Sequence, residues 1–161
     1  MKITILAVGK IKERYFTDAV KEYAKRLTRY CTLKIEEVPD EATPDRAGQA
    51  QKEAILQKEA ERLARILDRY PDAYVIALAI DGASYDSVSF SSYLSDLQVK
   101  GNSHLLFVIG GSLGLSRDIL GRAPGKVSFS RMTFPHQLMR VILLEQIYRA
   151  MRIARGEPYH K

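Results

Sequence analysis

F-V-I-G-G-S-L-G-L, Phe107 to Leu115, is followed by K-V-S-F-S-R-M-T-F-P-H-Q, Lys126 to Gln137, and the chain closes on R-G-E-P-Y-H-K, Arg155 to Lys161. A continuously apolar run ending in glycines reads as a strand buried on both faces. It leads into a loop where backbone can approach a ligand at the C-terminal edge of a parallel sheet. In dinucleotide-binding α/β folds the glycine fingerprint follows the first strand, because that turn delivers a pyrophosphate to the first helix N-terminus. Here the first strand, read over Ile3–Val8, is followed by Gly9 alone. A ligand site in this chain is therefore assembled from its C-terminal third.

Outward from this loop, short β-branched runs alternate with amphipathic stretches, the pattern of βαβ units around a parallel sheet. Strands are read at Ile3–Val8, Leu33–Val38, Tyr74–Ile80, His104–Ile109 and Lys126–Ser130. The expected fold is α/β: a single domain over residues 1–161 with a parallel five- to six-stranded sheet flanked by helices. Phe16, Val20, Tyr23, Leu27 and Tyr30 form one stripe at helical spacing, and Leu56, Ala60, Leu63, Leu67 and Tyr70 form another. A third helix is read over Ser87–Gln98, with Phe90, Leu94 and Leu97 inward. The segments Pro39–Asp45 and Asp81–Asp86 carry turn chemistry and read as loops with solvated acids.

The last helix, Pro135–Ala154, departs from the one-faced pattern. Leu138, Met139, Val141, Ile142, Leu143, Leu144, Ile147, Tyr148 and Met151 wrap most of its circumference. A domain of this size buries one side of such a helix against its sheet, so the other side calls for a partner subunit. The expectation is a homodimer with this helix at the interface. Pro135 presets helical φ, with Thr133 or Phe134 as the cap.

A hydrophobic content of 46% and a charged content of 27% describe an ordinary globular chain rather than a disordered one. Cys31 is the only cysteine, which excludes an internal disulfide and a multi-cysteine zinc site and fits a reducing cytoplasm. The apolar start M-K-I-T-I-L-A-V is too short for a signal peptide, and no run approaches the roughly 18 apolar residues that span a bilayer. A net charge of +6 favours a polyanionic partner such as RNA.

The spacing in Gly110-Gly111-Ser112-Leu113-Gly114 matches neither G-x-G-x-x-G nor a phosphate loop ending in Lys-Ser/Thr. The run Ser128 to Pro135 offers free backbone amides at the same sheet edge, so two strand ends share one pocket. That pocket is apolar and lacks the lysine and carboxylates that a triphosphate and Mg²⁺ require, so it suits an adenine ring and a sulfonium. Glu145, Arg149 and Arg152 recur at helical spacing, with Arg155 just beyond. They form either an exposed charge pair or, with Tyr159, His160 and Lys161, a phosphate-binding rim with a stacking aromatic. His104 opens a strand, His136 lies in a first helical turn where the dipole opposes protonation, and His160 sits in a flexible tail. No metal-ligand spacing and no nucleophile-elbow pattern appears, so no metal is expected.

F-V-I-G-G-S-x-G-L, S-F-S-x-M-T-F-P-H-Q, Y-R-A and the terminal R-G-E-P-Y-H-K resemble the ribosomal RNA large-subunit methyltransferase H family, small members of the SPOUT class of knotted methyltransferases. M-K-I-T-I-L-A-V-G-K and the E-V-P-D of Glu37 to Asp40 match as well, so the resemblance spans essentially the whole chain. It implies a C-terminal trefoil knot, with knot and cofactor site in about 104–155, and an obligate homodimer. It further implies S-adenosylmethionine as methyl donor and N3 of a pseudouridine in 23S rRNA, on the ribosome, as acceptor. Carried onto this chain, the cofactor contacts fall on Leu78, Gly110, Phe129, Ser130, Arg131, Met132, Thr133 and Phe134. One departure is Leu113, where the family carries a polar or acidic residue.

Methyl transfer from a sulfonium needs an in-line nucleophile, so positioning supplies most of the acceleration, up to about 7–11 kcal/mol. The acceptor nitrogen must also lose its proton. The expected roles are Arg152 on the ring anion and phosphates, Tyr159 in stacking or orientation, and His160 in proton removal, in the chain's own site or across a dimer interface. Two rival readings are an NAD-type oxidoreductase and a non-catalytic basic RNA- or ribosome-binding module. The first lacks an acidic ribose ligand about 20 residues beyond the glycines, where only the too-near Asp118 is on offer. The second leaves a concave glycine-rich pocket unexplained.

Overall fold

A computed structural model describes residues 1–161. The elements run β1 (Lys2–Val8), α1 (Arg14–Leu27), β2 (Thr32–Val38), α2 (Gln49–Leu67), β3 (Tyr74–Ser84), α3 (Ser87–Val99), β4 (His104–Ile109), α4 (Arg117–Gly121), β5 (Gly125–Ser128) and α5 (His136–Ala154). The five strands form one sheet in the order β2-β1-β4-β3-β5, and every neighbouring pair is parallel. Helices cover both faces, as the continuous apolar runs Tyr74 to Ile80 and Leu105 to Ile109 require. No helix is long and apolar enough to cross a membrane.

The strand period of two sends alternate side chains to opposite layers. Ile3, Ile5, Ala7, Leu105, Phe107 and Ile109 pack with Leu27 of α1, Phe90, Leu94 and Leu97 of α3, and Leu143, Leu144 and Ile147 of α5. Leu6, Val8, Leu106 and Val108 point the other way, onto Ala60, Leu63 and Leu67 of α2 and Ile119 of α4. Burying each such Leu, Ile or Phe is worth about 1.5–3 kcal/mol over leaving it exposed. The buried stripe of α2 opens on Ile55 rather than Leu56, and it includes the carboxyl of Glu59. Asp86 caps α3 by accepting from the Ser89 amide at 2.7 Å, and Ser116 caps α4 by accepting from the Ile119 amide at 3.2 Å. Cys31 is half-buried, and burial pushes its thiol up to about 11, which leaves it protonated and inert.

Three boundaries differ from expectation. β5 ends at Ser128, so Phe129 and Ser130 belong to the following loop. α5 begins at His136: Pro135, at φ −52° and ψ 134°, keeps an extended ψ and is itself the cap, so neither Thr133 nor Phe134 fills that role. The Asp81–Asp86 segment is not a free loop. β3 continues to Ser84, and the pairing with β5 shifts so that both Leu78 and Ala83 stand opposite Val127. D-G-A-S reads as a turn because the strand pairs there through backbone alone, with its side chains largely in solvent. The close approach depends on Gly82, where a Cβ would lie 2.7 Å from the backbone N and C of Val127.

Gly82→Ala is therefore expected to force β3 and β5 apart at a cost of about 1–3 kcal/mol. Urea unfolding checks it: a lower midpoint at unchanged slope is the expected result, and an unshifted midpoint would show that the strands can separate freely.

Candidate active site

The C-terminal ends of β3, β4 and β5 open on one edge of the sheet and enclose a cavity of about 290 Å³. β3 contributes Leu78, Ala79 and Ile80; the turn after β4 contributes Ile109 to Gly114; the segment from Val127 into α5 contributes Ser128, Phe129, Ser130, Met132, Thr133, Phe134, His136 and Met139. No lysine, arginine, aspartate or glutamate is on this wall.

The turn needs its glycines for space. A Cβ at Gly110 would collide with the carbonyl of Gly114, and Gly114 itself adopts φ +80° while its amide donates to the Gly111 carbonyl at 3.0 Å. A Cβ at Gly111 would come within 3.1 Å of both carboxyl oxygens of Glu59. Glu59 is 4% exposed, and its Oε2 accepts from the Glu41 amide at 3.0 Å. Burial is the main cause that raises its pKa; the hydrogen bond from the Glu41 amide and the Arg62 charge oppose it, and the Asp40 and Glu41 charges add to it. The segment that follows β2 is thereby tied, through Glu41, to the back of the glycine turn. Across the cavity the chain turns on its own side chains: Ser128 Oγ donates to the Ser130 carbonyl at 3.1 Å, and the Met132 amide donates to Ser130 Oγ at 2.9 Å.

Beneath the start of α5 lies a residue that sequence reasoning missed. Arg140 is 1% exposed; its Nη2 donates to the carbonyl of Gly9 and, at 3.5 Å, to that of Val8, while its Nη1 stands 3.4 Å from Glu37. The guanidinium thus caps the end of β1 and joins it to β2 and α5. Burial sets its pKa below the usual arginine range, against the pull of Glu37. The available signal was a lone arginine inside H-Q-L-M-R-V-I-L-L, one turn after the loop. Gly9, at φ +85°, leaves room for the His136 ring, whose Cε1 would lie 2.9 Å from a Cβ there. Burial first, then Arg140, lower the His136 pKa, so the ring on the cavity wall is neutral at neutral pH. Its Nδ1 is buried without a partner.

Among the residues expected at a cofactor, Leu78, Gly110, Phe129, Ser130, Met132, Thr133 and Phe134 line the cavity, and Arg131 is exposed outside its wall. Leu113 lines it as well. The candidates in the tail lie elsewhere. Arg152 donates to the Pro158 carbonyl at 2.8 Å and to Tyr30 Oη at 3.2 Å, and it pairs with Glu157 at 2.9 Å. Tyr159 packs edge-on against Tyr148 at 4.9 Å beneath the Arg149 guanidinium, and its hydroxyl donates to Glu145 at 3.1 Å. Burial, then the Glu145 charge, push the Tyr159 phenol up to about 12. The tail, expected to be flexible, is folded back on α5 and α1 by these bonds. His160 remains exposed, with Nδ1 accepting from Arg149 at 3.4 Å, and it borders a second cavity that shares Val127, Ser128, Phe129 and Phe134 with the first. Neither Arg152 nor Tyr159 of the same chain lines either cavity. No group of three His, Cys, Asp or Glu side chains is placed to hold a metal ion.

The profile of the family described as predicted SPOUT methyltransferase matches residues 1–160. The ribosomal RNA large subunit methyltransferase H of Clostridium acetobutylicum is 54% identical over 162 residues, and that of Bifidobacterium adolescentis is 56% identical over 161, with 100% of both chains covered in each case. Among solved structures, a probable methylase family protein from Haemophilus influenzae superposes with a TM-score of 0.58 at 12% identity, over 99% of this chain and 70% of that one. A probable methyltransferase from Bordetella pertussis superposes at 0.56 with 11% identity, over 93% and 96%. These two likenesses speak for the fold. With a profile match along nearly its whole length and relatives more than half identical end to end, the chain belongs to the SPOUT methyltransferases, among the ribosomal RNA large subunit methyltransferase H proteins.

Proposed function

We propose that this chain methylates N3 of a pseudouridine in the 23S rRNA of the large ribosomal subunit, using S-adenosylmethionine and acting as a cytoplasmic homodimer. The observation that carries the reading is the cavity at three strand ends, whose wall holds no charged side chain. A dinucleotide or triphosphate would leave its phosphates unpaired there, whereas an adenosine carrying a sulfonium fits apolar walls and backbone donors. Leu78, Gly110 and the run Phe129 to Phe134 would hold it, with Arg131 at the rim. The names of the relatives supply the substrate class, large-subunit ribosomal RNA. The net charge of +6 suits such a polyanion.

Bound S-adenosylmethionine would supply an electrophilic methyl to N3 and leave as a neutral thioether, and the N3 proton would pass to a base or to water. The protein's part is to align and to stabilise. Tyr159, with its phenol near 12, stays protonated at neutral pH and acts as a donor or ring platform rather than as a base. His160, exposed at the second cavity, is the group assigned to the proton. Arg152 is assigned to the developing ring anion. Since Arg152 and Tyr159 stand off the cavities of their own chain, the reading places them at the cofactor of a partner subunit.

A partner is called for by α5, whose Leu138, Val141, Ile142 and Met151 are only half-buried. Leu138, Val141 and Ile142 follow directly on the cavity residues Phe134 and His136. The domain boundaries, with a trefoil knot and the cofactor site in about 104–155, belong to the same reading. β5 joins the sheet as its edge strand beside β3, and the two backbones approach closely at Gly82 and Val127.

Sedimentation at micromolar concentration is expected to give twice the 18.2 kDa chain mass, and a monomer would overturn the interface assigned to α5. Deleting Glu157 to Lys161 is expected to lower methyl transfer to ribosomal particles by more than 100-fold. Calorimetric titration of the same variant should leave S-adenosylmethionine binding near that of the full chain, with no heat from NAD. Full turnover by the truncated enzyme would remove the tail from the mechanism.

A further inference from the structure

The second cavity, about 440 Å³, adjoins the first through Phe129 and Phe134, and the mechanism above uses only the His160 at its margin. Its floor is aromatic. Tyr85 is 37% exposed, and its ring lies stacked on Tyr93 at 5.1 Å with 21° between planes, so one face is already supported from behind. A flat ring entering beside it finds a rigid stacking surface that loses little freedom on binding.

The same cavity is lined by Gln146, whose amide is held from two sides. Its Nε2 donates to Glu145 Oε2 at 2.8 Å, and its Oε1 accepts from Ser87 Oγ at 2.9 Å. A carboxylate only accepts, so Glu145 fixes which end of the amide is nitrogen. An amide has two N–H donors and two oxygen lone pairs. Gln146 therefore keeps one donor and one acceptor on an amide of fixed orientation, at a cavity that shares Val127, Ser128, Phe129 and Phe134 with the cofactor pocket.

We infer that this second cavity is the acceptor-base pocket, with Tyr85 stacking on the base and Gln146 reading one of its edges. The inference rests on the function proposed above and deepens it. Pseudouridine differs from uridine in a free ring N1–H beside the C2 carbonyl. That donor–acceptor pair complements the free Oε1 lone pair and Nε2 hydrogen of Gln146, and pairing there leaves the neighbouring N3 unbonded and open to the methyl. Uridine is joined to its sugar through N1 and presents a C5–H there in place of the N–H donor. Gln146 is thereby a specificity-determining residue and Tyr85 a positioning platform.

The test compares methyl transfer to two preparations of ribosomal particles, one with pseudouridine at the target position and one with uridine, using the full-length enzyme and its variants. The unaltered enzyme should prefer pseudouridine. Gln146→Leu should lower kcat/KM on pseudouridine particles about 10- to 100-fold and the uridine rate by much less, since uridine loses only the carbonyl contact, so that the ratio collapses. Tyr85→Ala should lower both by about 10- to 100-fold, as loss of base stacking does, and Tyr85→Phe should restore them. S-adenosylmethionine affinity by calorimetry should stay within twofold in all three, which separates base recognition from misfolding. An unaltered preference with Gln146→Leu, or full activity with Tyr85→Ala, would overturn the pocket. Failure of the unaltered enzyme to methylate either particle would instead overturn the function on which the pocket rests.

Discussion

The buried guanidinium of Arg140 is the contact on which the sheet edge depends. It holds the last carbonyls of β1 and the carboxylate of Glu37 in β2 from a position one turn into α5, and so fixes the helix that closes the cavity to the strands that begin the chain. Its 1% exposure makes the arrangement demanding, because a charge removed from water must be paired and bonded to persist. Each buried carbonyl left without a donor costs about 1–3 kcal/mol. The position of His136 on the cavity wall follows from the same packing, since its ring occupies the space above Gly9.

Glu59 plays the matching part on the other layer. Its carboxyl lies against Gly111 and accepts from Glu41, and so links the glycine turn to the segment after β2. Both buried polar groups lie behind the cavity, and the wall itself carries no charged side chain. Electrostatic order is thus kept in the support while the surface that meets a ligand stays apolar. The tail repeats the scheme at the far end of α5, where Arg152, Glu157 and Tyr30 hold the chain so that His160 faces the second cavity.

Much of this was readable in the sequence, and the rest was not for physical reasons. The runs Tyr74 to Ile80 and Leu105 to Ile109 are apolar without interruption, the pattern of strands buried on both faces. The extension of β3 through Gly82 escaped notice because backbone pairing with β5, not side-chain burial, makes it a strand. Arg140 and Glu59 escaped because a charge in a helix is expected in solvent, and only the third dimension shows which carbonyls or amides await it. The tail looked mobile because its contacts, Tyr30 to Glu157 and Tyr159 to Glu145, span 127 and 14 residues of sequence. The apolar pocket at the C-terminal strand ends was legible from the glycines and the missing lysine. The acceptor base came from resemblance to a family, since no spacing encodes it.

The central claim is that the pocket at the end of β3, β4 and β5 delivers a methyl group to one base of large-subunit RNA. Ribosomal particles incubated with the enzyme and S-adenosylmethionine bearing a labelled methyl, then digested to nucleosides for mass analysis, test it most directly. The account predicts label in a single nucleoside, 3-methylpseudouridine, from 23S rRNA. Label in another nucleoside, or none while the enzyme still binds S-adenosylmethionine, would contradict it.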